Sequence, residues 1–284
     1  VIKIVTDSTC YLPPALLDEH DISVVPLSLA FGHTVYREGI DIDTETFFAE
    51  LARAPDLPQT SQPSVAQFLA AWRPLLDAGH EVVAILISTG LSGTVAAAEA
   101  AKTQLGQVPV SIVDSLSTAM GLGMQVLRAA EWVAAGATRD QIVAAVERMR
   151  EVVRIILVPD TLEYLHRGGR INAAQRWVGT LLRVKPLLEV RDGVVEPLEQ
   201  VRTARRALAR LVESTVEYLG DDRGPWIAVM HSRLPEAAEQ LMEMLQVHYP
   251  QARYFSAEIG PTVGVHVGPG ASGIMACPSR VLNM

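Results

Sequence analysis

Val82-Val-Ala-Ile-Leu-Ile87 runs directly into Ser88-Thr-Gly-Leu-Ser92-Gly-Thr94. An uninterrupted apolar run of this length, rich in branched residues, reads as a buried strand. The glycines and hydroxyls that follow stop it, and a helical pattern resumes over 92–104. The same unit recurs through the first half of the chain. Strands are expected at Ile2–Val5, Val24–Leu29 and Pro109–Val113, and helices at 13–19, 44–53, 65–77, 118–135 and 138–152. Ser64-x-x-Gln67 and Thr138-x-x-Gln141 have the spacing of capping boxes, in which each partner satisfies the other's free backbone N–H. Alternation of this kind predicts an α/β fold whose N-terminal domain is a Rossmann-like parallel sheet with flanking helices.

Beyond Val153–Val158, read as a strand, the pattern changes. Asp160 can cap a short helix ending at Gly168-Gly169, and another helix follows from about Asn172. Leu187–Val190, Asp192-Gly193 and Val194–Leu198 read as a β-hairpin, because Asp-Gly suits a type I′ turn. Amphipathic helices are expected at 203–219 and 233–249, with strands at Trp226–Met230 and Tyr254–Glu258. A hairpin inside an α/β pattern predicts a C-terminal α/β domain with a mixed or antiparallel sheet. The boundary falls near 152–160, giving domains at 1–155 and 156–284.

Composition narrows the function. The chain has 284 residues, half of them apolar but only 5% aromatic, so its core is built from Ala, Val and Leu. A net charge of −8 argues against general nucleic-acid binding. No apolar run approaches the ~18 residues of a membrane span, and no basic-then-apolar leader is seen, so the expected location is cytoplasmic, with at most transient membrane contact. Cys10 and Cys277 read as two reduced core thiols, and no metal-ligand spacing is present, so neither metal nor cofactor is expected.

Three of the predicted strands end in small polar residues: Thr6-Asp-Ser-Thr9, Ser88 to Thr94, and Asp114-Ser115. In open α/β sheets the ligand crevice lies beyond such strand ends, and a helix opening near Ser92 favours an anion. Thr60 and Ser61 precede Ser64, the predicted cap, and are free for a ligand. Near the C-terminus Ile259-Gly-Pro-Thr-Val-Gly-Val-His266-Val-Gly-Pro-Gly270 wraps glycines and prolines around one histidine, a stretch suited to shaping a site. Ser92 as nucleophile with His266 as base, oriented by Asp7 or Asp114, would make a Ser-His acyl hydrolase. However, Thr94 replaces the last glycine of G-x-S-x-G. A nucleotide or phosphate binder using the Ser92 helix end is a third reading, although Gly90-x-x-Gly93 lacks the P-loop Lys. Ten basic residues lie between Arg167 and Arg210 against four acidic ones. Arg202, Arg205, Arg206 and Arg210 share a helical face, which suits either pairing with Glu199 and Glu213 or docking to an acidic partner.

Taken together these motifs resemble the DegV family. The resemblance runs nearly end to end through Thr6–Thr9, Thr60–Ser64, Ser88–Thr94, Asp114-Ser115 with Gly121-x-Gly123, Leu162-x-Tyr-Leu-x-Arg-Gly-Gly-Arg-Ile171, Lys185-Pro186 and Ile259–Gly270. It implies two α/β domains with an apolar ligand tunnel between them. It also implies a non-catalytic carrier that buries a long-chain fatty acid and presents its carboxylate to a separate fatty acid kinase. The acyl phosphate so formed would pass to an acyltransferase. By motif position the carboxylate ligands are Thr60, Ser92 and His266. Ser61, Gly93, Thr94, Arg170 and Gly264 are secondary contacts, and Arg202, with Arg205 and Arg206, docks the kinase. Ala119 departs from the family pattern, which often has a hydroxyl there, although Ser117 and Thr118 are adjacent.

Overall fold

Four parallel strands in the order β2-β1-β6-β7 form the first sheet. The computed structural model describes residues 1–177 and 184–283. Its first half runs β1 (Ile2–Asp7), α1 (Pro14–Glu19), β2 (Ser23–Val25), β3 (Ser28–Phe31), β4 (Thr34–Arg37), α2 (Thr44–Leu51), β5 (Gln59–Ser61) and α3 (Val65–Asp77). It continues through β6 (Glu81–Leu86), α4 (Thr94–Leu105), β7 (Val110–Asp114), α5 (Ala119–Ala134) and α6 (Arg139–Arg150). Both expected capping boxes form, at Ser64 with Gln67 and at Thr138 with Gln141.

The second half runs β8 (Arg154–Val158), α7 (Glu163–Arg167), β9 (Lys185–Arg191), β10 (Val194–Val201), α8 (Ala204–Leu219) and β11 (Trp226–His231). It closes with α9 (Pro235–His248), β12 (Arg253–Glu258), α10 (Pro261–Val267) and β13 (Ser272–Cys277). Its sheet has six strands in the order β10-β9-β8-β13-β11-β12 and is mixed, with only the β11–β12 pair parallel. The β9–β10 hairpin turns on Asp192 (φ 49°) and Gly193 (φ 78°), the positive pair that a type I′ turn requires.

Several sequence expectations are corrected. Val24–Leu29 is not one strand: Pro26, which cannot donate to a ladder, separates β2 in the parallel sheet from β3 in a small antiparallel sheet ordered β4-β3-β5. The helix after Ser92 begins at Thr94. Asp160 caps no helix. It pairs with Lys185 at 2.5 Å, and Thr161 Oγ1 accepts from Glu163 N instead. Asn172–Trp177 is a 3-10 helix, and the continuation expected after it lies outside the described residues. The glycine-rich stretch at 259–270, assigned no secondary structure from sequence, contains the helix α10, and the strand β13, unanticipated, follows it.

The layers explain where a ligand space can lie. Helices α3 and α4 cover one face of the parallel sheet, and α8 and α9 cover one face of the mixed sheet. Helix α5 packs between the two sheets, against β1 and β6 on one side and β11 and β13 on the other. Twelve of its residues are buried, as expected for a helix with apolar groups all round. Both inner faces and α5 contribute to one hydrophobic cluster, including Ile85, Ile155, Met230 and Met275.

Such close packing needs missing side chains. A Cβ on Gly123 would lie 2.4 Å from the Cys10 carbonyl oxygen, and one on Gly121 would lie 2.7 Å from Ile155 Cδ1. Gly123→Ala is therefore expected to destabilise the fold by about 1–3 kcal/mol, since the obstructing atom is backbone. Urea unfolding checks this, with a lowered midpoint expected despite the better helix propensity of alanine.

Candidate functional site

A cavity of about 920 Å³, counting the space at its mouth, lies where the halves meet. Most of its wall is aliphatic, including Leu27, Ile87, Ile155, Val190, Val195 and Met275. Thr60, Ser61, Ser92, Arg170 and His266 also line it, together with Gln62, Thr118 and Thr262, which the sequence did not single out as contacts. The mix of apolar wall and few polar groups is what a small-molecule site needs for affinity and orientation.

Three separate segments build the polar end. The strand β5 carries Thr60, and α10 carries His266, with Thr60 Oγ1 and His266 Nε2 3.0 Å apart across 206 residues of sequence. The turn after α7 carries Arg170, whose Nε donates to the Leu91 carbonyl at 3.1 Å and whose Nη1 donates to the Gly168 carbonyl at 2.7 Å. Arg170 is thereby tied to the loop that holds Ser92. Ser92 Oγ lies 2.9 Å from Thr94 Oγ1, not on His266. Gly93 and Gly264 do not line the cavity. Gly264 lets α10 lie against Phe47, where a Cβ would approach to 2.7 Å, and Gly93 lies beside the Gln62 amide.

His266 is the most perturbed group at this end. Burial, and then the nearby Arg170 charge, lower its pKa from the ordinary 6.5 to about 4. Its Nδ1 is buried with no hydrogen-bond partner among the described residues, and a Cβ on Gly168 would sit 2.3 Å from it. At neutral pH this imidazole is therefore uncharged and in contact with backbone rather than with an acid. The hydrolase arrangement is not assembled: Asp7 is engaged by Thr9 and the Ile87 N–H, and Asp114 by Thr89 and the Leu116 N–H.

Most of the strand-end hydroxyls serve the scaffold. Ser88 Oγ donates to the Gly193 carbonyl at 2.7 Å, pinning the hairpin turn to the first half. Ser8 Oγ donates to Glu38 and accepts from Leu27 N. Only Ser92 and, at the start of α5, Thr118 reach the cavity from those segments. Ala119 lines it too, but the hydroxyl is contributed by Thr118, whose Oγ1 is buried without a partner among the described residues. Thr60, Arg170 and His266 also border an adjoining polar pocket with Gln59, Arg167 and Gly168. The polar end thus faces the apolar cavity on one side and this pocket on the other.

The basic stretch lies elsewhere. Arg206 pairs with Glu213, and Arg210 with Glu199, Glu213 and Glu217, so these two are internally neutralised. Arg202 and Arg205 are exposed and have no ion-pair partner among the described residues; Arg183 lies outside them.

Comparison with known proteins agrees with this architecture. The model of the DegV family, described as uncharacterised proteins, matches residues 1–279. This chain belongs to the DegV family. Protein DegV of Bacillus subtilis is 35% identical over 97% of this chain and 99% of its own length. A DegV domain-containing protein of Streptomyces coelicolor is 39% identical over 96% and 97%. Among solved structures, a fatty-acid-binding DegV family protein from Thermus thermophilus superposes with TM-score 0.93 at 32% identity, covering 98% of this chain and 99% of that one. DegV from Bacillus subtilis, described as a fatty acid binding protein, gives 0.89 at 33%, with the same coverage. A stearic-acid-binding protein from Eubacterium ventriosum gives 0.91 at 25%, covering 98% of each.

The depressed histidine has a pH consequence. In the unfolded chain it takes up a proton near pH 6.5, whereas in the fold it does so only near 4. Between those values the unfolded state binds more protons, so stability falls as pH drops through this window, by about 3 kcal/mol from this group. Urea unfolding from pH 7 to 4 on the parent and on His266→Gln checks this. The parent is expected to lose more stability, with ring signals titrating near pH 4 in NMR.

Proposed function

We propose that this chain is a carrier that buries a long-chain fatty acid in the cavity and presents its carboxylate to a separate kinase. One observation carries the reading: Thr60, Arg170 and His266 stand between an aliphatic cavity and a polar pocket. An acyl chain in the cavity with its head group among these residues keeps the chain out of water and leaves the carboxylate next to the polar side. The binding reported for the Thermus, Bacillus and Eubacterium relatives supports this occupant.

The energetics favour such cargo. About fifteen methylenes leaving water contribute roughly 12 kcal/mol gross. Ordering the chain and association offset several kcal/mol of that. A buried carboxylate without partners would cancel much of the rest. The hydroxyls of Thr60 and Ser92 and a His266 N–H are donors of the type that prevents this, and Arg170 supplies positive charge nearby. Carboxylate in place also favours a proton on the imidazole, opposing its depressed pKa in the empty protein.

The chain itself acts as holder, not catalyst, in this reading. The partner kinase brings the phosphoryl donor, and the acyl phosphate formed stays in the cavity until an acyltransferase takes it. Arg202 and Arg205, exposed beside the start of α8, supply the docking charge.

Two outcomes are expected. Mass spectrometry of the protein under denaturing conditions releases a long-chain fatty acid. His266→Ala and Ser92→Ala each weaken fatty acid binding by about tenfold, as loss of one charge-assisted hydrogen bond implies. Absence of lipid together with no uptake of added fatty acid overturns the reading. Separately, Arg202→Ala is expected to lower the rate at which a cognate kinase phosphorylates the bound acid, with lipid retention unchanged. Loss of retention would place Arg202 in the site instead.

A further inference from the structure

The buried carboxylate of Glu38 has no part in the site described so far. It is 4% exposed and has no ion-pair partner among the described residues. Four hydrogen bonds converge on it. Oε1 accepts from Tyr11 Oη at 3.1 Å and from Thr262 N at 2.8 Å, while Oε2 accepts from Ser8 Oγ at 2.5 Å and from Thr262 Oγ1 at 2.7 Å. The Glu38 backbone is held as well: its N–H donates to the Leu27 carbonyl at 2.9 Å, and Leu27 N donates to Ser8 Oγ at 3.0 Å.

All of this bears on the first turn of α10. That helix has seven residues, too few to be stable alone, and its N-cap, Gly260, supplies no side-chain bond. Its free N–H groups are satisfied from the other half of the chain: Thr262 N by Glu38 and Val263 N by Tyr11 Oη at 3.1 Å. Gly260 permits the approach, since a Cβ there would lie 2.4 Å from Tyr11 Cε1 and 3.1 Å from Glu38 Oε1. Thr262 and His266 are four residues apart, so they lie one above the other on the same face of the helix, and both line the cavity. The Glu38 grip on Thr262 is thus a grip on the turn below the His266 imidazole.

We infer that Glu38 is a positioning residue for the carboxylate clasp, setting through Thr262 and α10 the place at which His266 meets Thr60 and the cargo head group. Its chemistry argues for registry over bulk stability. A buried carboxylate without a cation is costly, and where only stability is at stake an apolar group of similar size replaces such a charge at little loss. A carboxylate offers two acceptor oxygens in a fixed plane, which lets it hold the Thr262 N–H and hydroxyl together and orient the helix as well as anchor it. This inference rests on the fatty-acid reading for its ligand, but not for its effect on the imidazole.

The test compares Glu38→Ala and Glu38→Gln with the parent, using palmitate and hexadecanol as probes of equal chain length. Loss of positioning affects the carboxylate selectively. Glu38→Ala is expected to lower the preference for palmitate over hexadecanol about tenfold, and Glu38→Gln, whose amide oxygen can still accept from Thr262 N and Tyr11 Oη while its NH2 meets the Ser8 and Thr262 hydroxyls, to restore most of it. In a His266→Ala background the same change is expected to have no further effect on that preference. An equal loss for both probes, or an undiminished preference, overturns the inference. Should Glu38→Ala fail to fold, Thr262→Val, which removes one of the four bonds and keeps the side-chain shape, is measured in the same way. NMR of the empty protein separates the two readings. A displaced His266 ring resonance in Glu38→Ala upholds positioning even if the parent binds no palmitate, and an unmoved one refutes it.

Discussion

An imidazole buried without an acid beside it is the constraint from which the polar end follows. Histidines enclosed in proteins are usually oriented by a carboxylate or carbonyl on the second nitrogen. Here Nε2 meets the Thr60 hydroxyl, and Nδ1 lies against Gly168 with no partner among the described residues. A neutral ring in that setting is a poor base, because protonation is opposed by burial and by Arg170. It is a good place for an anion to arrive, because the anion supplies what the site lacks. Acids elsewhere in the fold serve other work: Glu38 the first turn of α10, Asp7 the end of β1 and the Ile87 N–H, Asp114 Thr89 and Leu116.

The same economy of polar groups appears along the seam between the halves. Ser88 reaches the Gly193 carbonyl, Arg170 reaches the Leu91 carbonyl, and Tyr11 reaches Val263. Each bond joins residues far apart in sequence and leaves the aliphatic wall between them uninterrupted. At the far edge, Arg253 stacks over Trp226 at 4.6 Å and pairs with Glu131 of α5, adding a cationic fastening to the shared core. A predominantly aliphatic cavity with a few polar groups in its wall is the result.

Much of this was legible because local chemistry was strong. The capping boxes, the Asp-Gly hairpin and the alternation of strand and helix depend on neighbours in sequence, and all formed. What escaped reading depended on distant neighbours. Pro26 allows a short extended run to be shared between two sheets, and nothing in Val24–Leu29 announces which strands will flank it. The helix α10 has one glycine and four β-branched residues among its seven, so its propensity is weak, and it forms because Glu38, Tyr11 and Phe47 wait for it across the fold. Thr60 and His266 stood out as residues, yet their meeting at 3.0 Å needed both sheets in place. Of the basic face, the sequence left pairing and docking both open; Arg206 and Arg210 took the first and Arg202 was left exposed.

Helix α5, pressed between the parallel and the mixed sheet, also limits how the molecule can move. Two domains joined only by a strand connection could swing apart like a jaw. Here any such swing would strip α5 from one of its sheets and wet the cluster that includes Ile85, Ile155 and Met230. That penalty grows with every square ångström of aliphatic surface exposed. Separating the halves is therefore costly, and opening of individual segments at the rim is the cheaper route to the interior.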